Sequence, residues 1–341
     1  MAAYTTIDDP EAYFQTVLYT GNGADGNAIT LPGDTAMQPD FVWIKERSTT
    51  NEYRLYDDVR GVNAALHSST TGGETAAAAY GQFESFDSDG FTVGQGTGDP
   101  GSGAGTNQDG ATIVAWCWKE SATAGFDIVS HTGSDAAHTV SHSLSAVPDV
   151  IISMNRPDVE NKRMYHSANT SAPETEGMNL GGTNATDDDA GYWNDTAPTS
   201  SVFTVGTNGG TNGDGDAMIA YLWSEKQGFS KFGSYTGNGS ADGTFVYTGF
   251  RPAFVVIKQT NSTGNWMLWD SKRLGYNPDQ NEMYANTNHA EQTDDRIDLF
   301  SNGFKLLENT AGFNGSGDTF IYMAFAEAPF VNSNGVPNNA R

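Results

Sequence analysis

What most constrains this chain is that it repeats itself. Four blocks of residues recur in one order. Each copy opens with a strand-like run and a Gly-rich turn: Val17-Leu-Tyr-Thr-Gly-Asn-Gly23, Ile128-Val-Ser-His-Thr-Gly133 and Phe232-Gly-Ser-Tyr-Thr-Gly-Asn-Gly239. A proline-led apolar run follows: Pro39-Asp-Phe-Val-Trp-Ile-Lys45, Pro148-Asp-Val-Ile-Ile-Ser-Met154 and Pro252-Ala-Phe-Val-Val-Ile-Lys258. A third block reads Leu55-Tyr-Asp-Asp58, Met164-Tyr-His-Ser167 and Leu268-Trp-Asp-Ser271. The copies close on Ala115-Trp-Cys-Trp118, Ala220-Tyr-Leu-Trp223 and Ala324-Phe325. The three prolines stand 109 and 104 positions apart and the closing alanines 105 and 104 apart, so the period is near 105 residues. Four blocks held at one spacing predict three diverged copies of a single unit.

Each copy holds about seven to nine short β-prone runs separated by turn clusters, the pattern of a β-sandwich. Glycine (40 of 341 residues) with Asn, Asp, Ser and Thr supplies the turns, because these residues tolerate the backbone angles that tight turns demand. No window sustains an apolar stripe at helical spacing for more than about two turns. The expectation is an all-β chain of three tandem β-sandwich, jelly-roll-like repeats: residues 1–120 with an N-terminal arm, 125–225 and 228–331, then a C-terminal tail, 332–341. The proline-led runs are apolar throughout, which places them centrally with both faces covered. In the first closing run Ile113, Ala115 and Cys117 face one way and Val114, Trp116 and Trp118 the other. The joints Lys119–Gly125 and Glu225–Gly228 are short, predicting a semi-rigid rod or a three-lobed body rather than beads on a string. The Gly-rich stretch 94–110 reads as a surface loop.

Forty-two acidic residues oppose 17 Lys and Arg, a formal charge of −25. Such a surface repels phosphates and anionic headgroups, so neither nucleic acid nor membrane insertion is expected. The lone Cys117 excludes an intrachain disulfide and any Cys-based zinc site, and reads as a small hydrophobe inside a strand. The first ten residues have no basic or apolar stretch of a secretory signal, and no segment has the apolar length of a membrane-spanning helix, so the expectation is synthesis in a cytoplasm.

Several of these segments resemble a module of tailed-bacteriophage virion proteins, especially those of marine phages. The resemblance is carried by Lys231-Phe-Gly-Ser-Tyr-Thr-Gly-Asn-Gly239 through Pro252-Ala-Phe-Val-Val-Ile-Lys258, by Asp298-Leu-Phe-Ser-Asn-Gly-Phe304 and by Ile321-Tyr-Met-Ala-Phe-Ala-Glu-Ala-Pro-Phe330. In the first copy Pro39-Asp-Phe-Val-Trp-Ile-Lys-Glu-Arg47, Asp57-Asp-Val-Arg-Gly61 and Ser85-Phe-Asp-Ser-Asp-Gly-Phe91 are similar to the same family. The resemblance implies a non-enzymatic structural role on a phage particle made in the host cytoplasm, as decoration or in host attachment. Its implied partners are other capsid or tail proteins, a host surface glycan and further copies of the chain. It supplies no catalytic residues or cofactors. The sequence shows no long coiled-coil or collagen-like shaft, which favours a short module over a long tail fibre.

Few constellations suggest chemistry. There is no Gly-x-Ser-x-Gly elbow, P-loop or dinucleotide fingerprint, and with 42 acidic residues any carboxylate pair can be nominated for glycan hydrolysis. The acidic turns Asn22–Gly26, Thr186–Asp189 and Asn212–Asp216 lack the spacing of a calcium loop and read as solvated turns. His131, His138 and His142 lie in the second copy, but no third His or Cys sits close in sequence to the 138/142 pair, so no metal and no cofactor is expected. Tyr192 and Trp193 lie between turn signals, where they either stack on a sugar face or fold back over a sandwich edge. Phe330 and Val331, after the last strand, either make oligomer contacts or close the third copy's own core.

Overall fold

Turn residues cut this chain into extended runs too short to be stable alone, so each run must find partners across a sheet. A computed structural model describes residues 4–76, 82–96, 104–273, 277 and 280–337. It is nearly all β, with 43% of residues in strands and 6% in helix.

Three large antiparallel sheets, each drawn from one stretch of chain, share one strand order. In the first, Phe14–Thr20 pairs with Thr112–Trp118, then come Phe41–Glu46, Arg54–Asp57, Gly61–Leu66 and Thr75–Ala76. The second runs Phe126–Thr132, Ala217–Trp223, Val150–Asn155, Arg163–His166, Glu176–Asn179 and Asp187–Asp188. The third runs Ser230–Thr236, Thr319–Pro329, Phe250–Gln259, Trp266–Asp270 and Met283–Tyr284. A small sheet accompanies each one: Asn27–Thr30 with Gly90–Gly94 and Gln82–Asp87, His138–Ser141 with Val202–Val205, and Phe245–Tyr247 with Gly303–Leu306 and Ile297–Phe300. A large sheet and its small partner form one lobe.

The proline-led strands are central, as their composition predicts, and both faces are buried for different reasons. Val42, Ile44, Ile113, Ala115 and Cys117 face the small sheet and fill a core private to the first lobe. Phe41, Trp43, Val114, Trp116 and Trp118 face the opposite way, into one core shared with the corresponding residues of the other two lobes. Trp118 shows this sharing most directly. Its ring lies 4.9 Å from Phe14 in its own lobe, 6.3 Å from Trp223 in the second, and 5.5 Å from both Phe254 and Phe325 in the third. The lobes are therefore packed around a common centre, and of the two shapes read from the short joints the rod is excluded.

Strand register corrects one alignment. Thr20 pairs with Thr112, Thr132 with Ala217 and Thr236 with Thr319, so the residue equivalent to Ala115 and Ala220 is Tyr322, two positions before Ala324. A shift of two keeps every side chain on its face, which is why apolar patterning alone did not reveal it. The described part of the stretch 94–110 also departs from expectation, since Gly105, Thr106 and Asn107 are buried. Asn107 reaches back to the opening Gly-rich turn, donating to Asn22 Oδ1 at 3.0 Å and to the Ala24 carbonyl at 2.8 Å. Asn212 and Asn314 pin the equivalent turns through the carbonyls of Ala136 and Ser240.

The lobes meet at three seams that follow one another around the centre. At each seam a backbone N–H crosses to the next lobe: Glu74 to the Arg156 carbonyl at 2.6 Å, Thr186 to Thr260 at 2.8 Å, and Glu291 to Arg47 at 2.9 Å. Two seams are ionic. Arg60 Nε meets Asp57 at 2.5 Å and Arg156 Nε meets Glu74 at 2.6 Å, with Tyr221 OH donating to Asp57 at 2.7 Å. Likewise Arg273 Nε meets Asp270 and Arg47 Nε meets Glu291, both at 2.6 Å, with Trp116 Nε1 donating to Asp270 at 3.0 Å. At the third seam the Asp position holds His166 and the Arg position Asn169. The side chain equivalent to Trp116 and Tyr221 is there Met323, which has no donor to offer a carboxylate. His166 Nδ1 accepts from the Ala168 N–H at 3.1 Å, so Nε2 carries the proton and donates to the Tyr322 carbonyl at 3.1 Å. Burial pushes the His166 imidazole down to about 4, keeping this seam neutral.

Candidate functional site

Alternation along a strand sends one set of side chains into the core and the other outward. In Phe245–Tyr247 the inward residue is Val246, and Phe245 and Tyr247 are 45% and 53% exposed. The outward residues equivalent to these are Ala28 and Thr30 in the first lobe and Thr139 and Ser141 in the second, as cross-strand register requires. Phe300, at the end of Ile297–Phe300, is also outward and 38% exposed. Among the described residues eight large hydrophobic side chains are exposed, and three of them share this one sheet face. That clustering is what distinguishes the third lobe from the other two.

Gly303 lies opposite both Tyr247 and Phe300 in the pairing. A Cβ there would sit 2.1 Å from the Val246 carbonyl oxygen, so only glycine fits. Phe245 and Phe300 meet edge to face, with ring centres 6.1 Å apart. They border an open cleft of about 640 Å³ whose remaining wall includes Asn238, Asp242, Asn302 and Lys305. Lys305 is ion-paired with Asp242. Beside Tyr247, Tyr4 OH donates to the Gly249 carbonyl at 2.8 Å and lies 3.3 Å from Tyr247 OH, tying down the chain entering the first lobe. Aromatic faces beside amide, carboxylate and ammonium groups suit a hydroxylated ring: its C–H face stacks and its hydroxyls exchange hydrogen bonds.

The aromatic pair that sequence reasoning selected lies elsewhere and is not available to a ligand. Asp189 caps the one-turn helix Ala190–Trp193 by accepting from the Gly191 N–H at 2.8 Å, and Asn194 closes it in the left-handed region at φ 54°. This turn folds Tyr192 and Trp193 into the second lobe's private core, 1% and 2% exposed. Trp193 Nε1 donates to the Glu176 carbonyl at 3.0 Å, and Tyr192 OH donates to Asp187 at 2.6 Å. Phe330 and Val331 are half-buried: the Phe330 N–H bonds to the Gly249 carbonyl at 3.2 Å, and Val331 bridges to Pro337. The signal that could have found Phe245, Tyr247 and Phe300 was comparison across the three stretches that form the lobes, since among the described residues only the third carries aromatics at those outward positions.

The acidic turns engage neutral donors. Asp25 accepts from the Gln95 N–H at 2.9 Å and Asp216 from Asn155 Nδ2 at 2.7 Å. Among the described residues no three His, Cys, Asp or Glu side chains gather closely enough to hold a metal ion. His131 and His138 sit with ring centres 5.9 Å apart, and burial followed by the His138 charge pushes His131 down to about 4. One acidic side chain at a joint is strongly perturbed. At the first joint, burial and a shared hydrogen bond with Asp127 push Glu120 up to about 8. Its counterpart at the second joint, Glu225, faces Lys231 at 2.7 Å instead.

Residues 9–329 match a family described as a domain of unknown function (DUF7483), and the chain belongs to that family. No curated protein and no solved structure matches it.

Proposed function

We propose that this family member is a non-enzymatic structural protein of a bacteriophage-type virion that decorates the particle or serves host attachment, and that its third-lobe cleft is a contact surface for glycan. The observation that carries the reading is the grouping of Phe245, Tyr247 and Phe300 on one outward sheet face beside Asn238, Asp242, Asn302 and Lys305. Exposed apolar clusters on an otherwise acidic, soluble surface mark contact sites. The virion context rests on the resemblance of the proline-led, Gly-rich and closing segments to phage particle proteins. On this reading the three stretches of chain are diverged copies of one unit, and their closure around a shared core gives in one polypeptide the three-part symmetry that particle appendages otherwise build from separate subunits. The partners are other capsid or tail proteins, with further copies of the chain assembled on the particle.

Antibody labelling of purified particles tests the context, and a glycan array probed with the wild-type chain and a Phe245→Ala/Phe300→Ala variant tests the cleft. Labelled particles and array binding lost in the variant support the proposal. A chain absent from particles but retaining cleft-dependent glycan binding supports a free carbohydrate-binding protein instead. Array binding unchanged in the variant removes the cleft from the proposal.

A further inference from the structure

The second lobe carries a different concave site, of about 380 Å³, at the edge of its large sheet. Arg163 enters it from the strand Arg163–His166, Gly177 and Asn179 from the neighbouring strand, Asn184 and Thr186 from the loop at the neutral seam, and Asp187 from the edge strand Asp187–Asp188. The guanidinium of Arg163 lies 4.3 Å over the Tyr192 ring. Tyr192 holds that position because Gly177 leaves room for it: a Cβ at Gly177 would fall 2.4 Å from the ring. Arg163 thus lines the cleft while held on a rigid aromatic base.

What singles it out is what it lacks. In a chain with 42 acidic residues, Arg163 is the one described arginine with neither a carboxylate within 4.0 Å nor a hydrogen bond, and its buried Nε has no partner. A buried donor left unmatched is destabilising, and more so when it is charged. The equivalent residue in the first lobe, Arg54, is answered by the His67 ring at 3.1 Å, and in the third lobe the position is Met267. Asp187 borders the same cleft but does not reach Arg163. One of its oxygens accepts from Tyr192 OH, and the other is free to accept again. Asn161 and Asn179 are locked to each other at 2.8 Å, and the exposed Asn184 side chain is uncommitted.

A cleft of this size accommodates a small ligand. A cation on one side and a separated carboxylate on the other call for a ligand bearing an acid at one end and hydroxyl donors at the other. A planar guanidinium matches a carboxylate through two parallel hydrogen bonds. We propose that this cleft binds a uronic acid unit of an acidic polysaccharide, carboxylate on Arg163, hydroxyls on Asp187 and Asn184. The site is separate from the third-lobe cleft, so the two proposals fail separately.

Titration of the intact chain with glucuronate, galacturonate, glucose and inorganic phosphate tests it, with three variants. Expected are uronate binding at least tenfold tighter than glucose, a tenfold or greater loss in Arg163→Gln, and loss of binding in Asn184→Trp, a loop substitution that fills the cleft without touching the core. Val59→Ala, at an exposed position of the first lobe, should leave uronate binding unchanged. Uronate binding no tighter than glucose, or binding that survives Asn184→Trp, overturns the proposal. Phosphate binding as tight as uronate overturns it too, since a bare cation would then explain everything.

Discussion

The ionic seam between the first two lobes allows a quantitative test of how the shared body is held together. Arg60 and Asp57 are both 0% exposed at their side chains, and Arg60 donates to Asp57, Glu74, Tyr221 and the carbonyls of Leu55 and Ala64. Burial alone would raise the Glu74 carboxyl, but Arg156 and Arg60 outweigh it and hold it below the usual carboxylate range. Arg60→Gln removes the cation and leaves Asp57 buried without a counter-charge. Breaking one side of a buried pair costs about 3–5 kcal/mol. With an unfolding entropy of about 2.1 cal/mol/K per residue, that loss lowers Tm by about 4–7 °C for a chain of 341 residues unfolding as a unit. The neutral seam supplies the control. Asp57→His/Arg60→Asn/Glu74→Thr installs the groups found at His166, Asn169 and Thr186, and removes both buried charges together. It should lose less than half of what the single variant loses. Urea and thermal unfolding followed by near-UV circular dichroism read both. A loss under about 1 kcal/mol for Arg60→Gln, or a triple variant as unstable as the single one, would refute the view that an unmatched charge sets the cost.

Further outcomes follow from other sites. Glu120 has a folded pKa of about 8 against an ordinary 4.5, so its protonated form contributes stability that is complete below about pH 4.5 and lost as pH rises through about 8. Glu120→Gln should therefore stabilise the chain at pH 9 and leave it unchanged at pH 4; a pH-independent effect contradicts the assignment. Gly133→Ala places a Cβ 2.0 Å from the Gly213 carbonyl oxygen and should cost about 1–3 kcal/mol, measurable by urea denaturation, with Gly21→Ala and Gly237→Ala behaving alike. Phe300→Ala, at an exposed position, should change stability by less than about 1 kcal/mol while abolishing glycan binding. Thermal melts with and without EDTA should superimpose, because among the described residues no three His, Cys, Asp or Glu side chains gather closely enough to hold a metal ion; a large downward shift would reveal a calcium site.

The strand-and-turn grammar was legible because it is local. Alternation in Ile113-Val-Ala-Trp-Cys-Trp118 fixed which side chains share a face, and unbroken apolarity in Phe41-Val-Trp-Ile44 required both faces of that strand to be covered. What covers the second face was not legible. A buried face reads the same whether its lid is a small sheet of its own lobe or the large sheets of two others. The choice between the two readings of Tyr192-Trp193 was out of reach for a similar reason: polar neighbours marked a loop, and only the structure shows Asp189 and Asn194 shaping it into a turn that drives both rings inward. By itself the sequence determined an all-β chain of short strands, the inward and outward sets along each, and an acidic surface. Only the tertiary structure decided that three large sheets share one core, that Asp57 meets Tyr221 and Asp270 meets Trp116 across seams, and that Arg163 stands unanswered in a cleft. Those contacts join residues up to 164 positions apart, and no periodicity within a strand encodes a partner at that distance.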